Sequence, residues 1–90
     1  MPRYVVERTF PGGVPIHADT EGARACLEIV DRNADYGVTW VHSYVSTDGD
    51  KTFCVYDAPT PEAIRKSALR NSLPVDRIVQ VSVLDPYFHR

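Results

Sequence analysis

The sequence predicts an α+β fold in the order β-α-β-β-α-β, and three observations carry that expectation. Segments rich in β-branched and aromatic residues, such as "RYVVERTF" at residues 3–10 and "VTWVHSYV" at 38–45, have the composition of strands. Two other segments, beginning near Asp19 and Thr60, carry helix signals at their starts and apolar residues at helical spacing. Turn residues separate them at Pro11-Gly12-Gly13, Gly37, Asp48-Gly49, Ala58-Pro59 and Asp85-Pro86.

The first strand ends at Pro11-Gly12-Gly13. Asp19 or Thr20 then caps a helix whose apolar residues are Ala23, Cys26, Leu27, Val30 and Ala34, and Gly37 supplies its stop. The second strand spans 38–45 and the third 51–56, joined as a hairpin through Ser46 to Asp50. Thr60-Pro61-Glu62 opens the second helix with a capping hydroxyl, a proline in the first turn and a carboxylate near the positive end of the helix dipole. That helix runs to about Asn71. The fourth strand spans 76–83, with Val79, Val81 and Val83 on one side. Right-handed crossovers place the first and third strands at the centre of a four-stranded antiparallel sheet with both helices on one face. This is the ferredoxin-like arrangement, of the type that forms dimeric α+β barrels.

The chain has 90 residues, enough for one domain over 1–90 and few enough that self-association is a reasonable way to bury more surface. A net charge of -2, with no aromatic residues among Arg65, Lys66, Arg70 and Arg77, argues against nucleic acid as a partner. No apolar run has the length of a membrane span and no signal peptide is recognisable, so the expected compartment is the cytoplasm. Two cysteines, Cys26 and Cys54, are too few for a disulfide framework.

Alternation along the strands assigns two faces. Tyr4, Val6, Phe10, Val41, Val45, Phe53, Val55, Val79, Val81 and Val83 are expected under the helices. The bare face then receives Val5, Glu7, Thr9, Trp40, His42, Tyr44, Thr52, Cys54, Tyr56, Gln80 and Ser82, a surface aromatic enough to suggest a partner subunit. Hairpin register sharpens the picture. A two-residue Asp48-Gly49 turn would set His42 against Val55. A three-residue loop, Thr47-Asp48-Gly49, sets His42 against Cys54, Trp40 against Tyr56, Tyr44 against Thr52 and Val41 against Val55, and is preferred because it keeps like faces together. Glu7 on the adjacent strand extends the row.

Imidazole, thiolate and carboxylate together suit a borderline divalent ion such as Ni²⁺ or Zn²⁺, which makes His42, Cys54 and Glu7 candidate ligands, with Trp40, Tyr44 and Tyr56 lining the site. A second chemistry uses His42 as an acid or base on a small aromatic substrate, as in monooxygenases and isomerases of the same architecture. A third possibility is a plain interface anchored by rings. Cys26 belongs to the helix stripe, and His17 and His89 are expected to be exposed. Pro11-Gly12-Gly13 lacks the spacing of a phosphate loop, and no nucleophile motif is present.

The strings "RYVVERTFPG", "GVTWVHSYVSTDGDKTFCVYDAPTPEAIRKSA" and "NSLPVDRIVQV" resemble a family of small bacterial proteins long classed as a domain of unknown function, one member of which binds nickel. The resemblance covers most of the chain. It implies a cytoplasmic homodimer of ferredoxin-like subunits that binds nickel, with no established catalytic activity; the expected role is metal sequestration or sensing. Glu7, His42, Tyr44 and Cys54 fall inside its characteristic strings.

Overall fold

The computed structural model describes residues 1–88; His89 lies outside the described residues. The elements follow the expected order: β1 (Arg3–Thr9), α1 (Thr20–Ala34), β2 (Thr39–Val45), β3 (Lys51–Asp57), α2 (Pro61–Arg70) and β4 (Arg77–Val81). All strand pairs are antiparallel, and the sheet order β2-β3-β1-β4 puts β1 and β3 in the centre.

Local chemistry accounts for the helix ends. Asp19 accepts the Gly22 amide at 2.8 Å and Thr60 accepts the Ala63 amide at 3.2 Å, each satisfying one orphan donor of a first turn. Past α1, Gly37 takes φ +70°, a left-handed conformation in which glycine carries no side-chain penalty. The helix C-termini are tied together, because Asn71 donates to Asn33 at 3.0 Å while accepting from Arg32 at 3.1 Å.

The core lies between the sheet and the helices and is built from Tyr4, Val6, Val38, Cys54, Tyr56, Ala58 and Ile64, with Trp40 and Ile78 packed against it. This membership revises the expected faces. Tyr4 and Val6 lie under the helices as anticipated, but on β3 the helix-facing residues are Thr52, Cys54 and Tyr56, and on β4 Ile78 pairs with Val6 while Val79 pairs with Val5. Phe53, Val55, Val79 and Val81 therefore belong to the bare face. The α1 stripe is rotated too. Gly22, Ile29 and Asn33 are buried, whereas Leu27 and Val30 are exposed.

Two features, a serine side chain and a bulge, cause the hairpin to differ from expectation. Ser46 Oγ accepts the Lys51 amide at 3.0 Å, and the Ser46 amide donates to Lys51 O at 2.9 Å, so the loop between them has one residue more than the preferred arrangement. Gly49 keeps the expected left-handed conformation at φ +81°. The displaced register gives Val45 against Thr52, Tyr44 against Phe53, Ser43 against Cys54 and His42 against Val55. A bulge at Val41 absorbs the offset, so that Trp40 still faces Tyr56 as expected.

Candidate functional site

The Val41 bulge decides where the aromatic segment points. It leaves Trp40 on the helix side, where its indole Nε1 donates to Ser43 Oγ at 2.8 Å, and sends His42 and Tyr44 to the bare face. His42 is exposed and meets the Tyr44 ring edge-on, with centroids 5.0 Å apart and planes at 87°. Across the sheet, His42 heads an apolar row of Val55, Val5 and Val79. The next row is Tyr44, Phe53, Glu7 and Arg77.

The expected row of Glu7, His42 and Cys54 does not form within one chain. Glu7 shares the bare face with His42, but two strand spacings and two residues separate them, roughly 12 Å between backbones. Its carboxylate is engaged by Lys51. Cys54 is 6% exposed, lies under the helices, and its thiol approaches Thr52 Oγ1 at 3.6 Å. The cause is the one-residue register difference, which turns every β3 side chain to the opposite face relative to His42. Among the described residues, no three His, Cys, Asp or Glu side chains gather to hold an ion. Both cysteines are free.

Three residues singled out in the sequence do meet elsewhere. Trp40, Cys54 and Tyr56 line an open-mouthed cavity of about 380 Å³ under the helices, bordered by α1, the segment 14–16 and the segment 71–74. His42 is not among its lining residues. Sequence reasoning missed the most unusual group in this cavity, Arg8, which is only 2% exposed. Its signal was present, since Arg8 alternates in step with Tyr4 and Val6 and so must point inward with them. Its Nη1 donates to Pro74 O at 2.6 Å and its Nη2 to the Tyr56 hydroxyl at 3.1 Å.

Burial pushes the Tyr56 phenol from 10.0 up to about 12, against the opposing pull of the Arg8 charge. The folded state thus holds the phenol proton more tightly than the unfolded chain. Stability from this group is complete below about pH 10 and is lost as pH rises through about 12, an effect of order 2–3 kcal/mol. Tyr56→Phe removes the titrating proton. Urea melts compared at about pH 9 and about pH 11 should therefore show a steeper alkaline loss in the wild type than in Tyr56→Phe. Parallel losses would contradict this assignment.

Fold and site together define the class, a ferredoxin-like α+β domain with one sheet face bare and a cavity beneath the other. The chain belongs to the family described as nickel responsive protein SCO4226-like, whose profile matches residues 4–81. Among solved structures it is similar to the crystal structure of SCO4226 from Streptomyces coelicolor A3(2), at 14% identity and a TM-score of 0.68, with 90% of this chain and 96% of that chain covered. At that identity the likeness shows the fold. No curated protein matches the chain. No helix among the described residues is long and apolar enough to cross a membrane.

Proposed function

We propose that this protein is a nickel-binding homodimer, formed by packing two bare sheet faces together, and that it takes up the ion for sequestration or sensing. The observation that carries the reading is the placement of His42, an accessible imidazole at the head of an apolar row, in a chain of a nickel-responsive family. Imidazole is a good ligand for borderline divalent ions. Among the described residues a single chain offers His42 without a complete donor set, so the donors fit nickel where a second copy supplies the rest. Glu7 is the carboxylate candidate on the same face, once released from Lys51. Cys54 cannot reach this face without refolding β3.

The apolar character of the face supports association. Val79 is 38% exposed and Tyr44 63% on this face, beside Val55 at 9%. Such a surface is the kind that a partner covers. A cytoplasmic location is consistent with this reading.

Calorimetric titration with Ni²⁺, combined with light scattering for mass, tests the proposal. His42→Ala should weaken uptake by at least about tenfold, the scale on which even supporting residues of metal sites act. Cys54→Ser should leave uptake unchanged, and no thiolate-to-nickel charge-transfer band should appear. Uptake should also fall on acidification, because imidazole must be deprotonated to ligate. Equal uptake by wild type and His42→Ala would overturn the site, and a monomer at saturating Ni²⁺ would overturn the shared shell.

A further inference from the structure

The cavity on the helix side contains a charge that the metal reading does not use. Arg8 is nine-tenths buried or more, and its Nε is enclosed without a hydrogen-bond partner. Among the described residues, only one N–H on Nη1 and one on Nη2, of five in all, are engaged, both with neutral oxygens. Among the described residues, the ion pairs are Arg3 with Asp57, Arg32 with Glu28, Lys51 with Glu7 and Arg70 with Asp35, and none includes Arg8. Glu28, the carboxylate on the cavity wall, is 3.6 Å from Arg32. A buried cation without a counter-charge is unfavourable, and enclosed guanidinium groups are normally paired.

The rest of the cavity has the opposite character. Phe10, Ile16, Ile29, Trp40 and Leu73 make most of its surface apolar. Its volume of about 380 Å³ falls at the small end of ligand sites, which span ~300–1,000 Å³. Arg32 also lines the cavity but is paired with Glu28, so the unpaired, buried fork of Arg8 against largely apolar walls matches a ligand with one planar negative group and a hydrocarbon body. Inorganic phosphate has no hydrocarbon body to gain from the apolar walls that make up most of the surface.

We propose that this cavity binds a small carboxylic acid, its carboxylate paired with the guanidinium of Arg8 and its ring or short branched chain lying against Trp40, Ile29 and Leu73. The Tyr56 hydroxyl and Pro74 carbonyl hold the guanidinium in place, and the Tyr56 ring, 5.8 Å from the guanidinium carbon, supports it from one side. The site lies across the sheet from His42 and is independent of the nickel reading.

The test is a ¹⁵N-resolved NMR titration of the metal-free protein with benzoate and 4-methylpentanoate, each compared with its neutral amide. Trp40, the single tryptophan of the chain, supplies an indole N–H reporter on the cavity wall. The carboxylates are expected to bind saturably at least tenfold more tightly than the amides, with shifts at Trp40, Cys54 and Leu73 and none at His42. Arg8→Gln should abolish the preference for the acid. Because that variant can fail to fold, the acid–amide comparison on the wild type stands alone as the deciding measurement. Equal affinity for acid and amide, absence of saturation, shifts confined to the bare face, or inorganic phosphate binding as tightly as benzoate would overturn the proposal.

Discussion

Ile64→Ala is expected to destabilise the protein by about 2–5 kcal/mol, the range for deleting a large aliphatic side chain from a packed core. Ile64 is 1% exposed, and the other buried residues of α2, Ser67 and Ala68, are small. It is therefore the principal apolar anchor holding that helix on the sheet, among Tyr4, Val6, Val38 and Ala58. Domains of this size are stable by only about 5–15 kcal/mol, so a loss of that size is a large share of the total. Urea denaturation should show the midpoint fall with little change in slope. A loss below about 1 kcal/mol would mean that neighbouring residues collapse into the space, contrary to the packing described.

Gly22→Ala is the second large effect, expected at about 1–3 kcal/mol from overpacking. A Cβ on Gly22 would stand 1.6 Å from the carbonyl oxygen of His17 and 2.8 Å from its carbon. Both are backbone atoms, so no rotamer change relieves the clash and the segment before α1 must move. That segment includes Val14, Pro15 and Ile16, which wall the Arg8 cavity. The variant should therefore lose stability in urea and open the cavity, while leaving nickel uptake through His42 intact. Wild-type stability would show that the approach of the loop to α1 is looser than described.

The elements were legible where a single chemical signal dominates. Asp19, Gly37 and Thr60-Pro61 mark helix boundaries by capping and backbone preference, and crossover handedness alone places β1 and β3 centrally. Faces were less legible where both alternations are apolar. In "TFCVY", Phe53 and Val55 compete with Cys54 and Tyr56, and in "RIVQV", Val79 and Val81 outnumber Ile78, although the latter packs on the core. Helix α1 poses the same ambiguity, since Leu27 and Val30, three apart, are as compatible with a helical stripe as the buried Ile29 and Asn33, four apart. The candidate site depended on hairpin register, which a serine side chain and a bulge at Val41 settle by geometry that composition does not encode. Hence His42 and Glu7 were assigned to their true face, and Cys54, Trp40 and Tyr56 were not.

Anomalous diffraction at the nickel absorption edge from crystals soaked in Ni²⁺ tests the His42 site most directly. A nickel peak is expected on the bare sheet face, bonded to the His42 imidazole and completed by donors from a second copy of the chain. A peak bonded to Cys54 on the helix side, with none at His42, would contradict it.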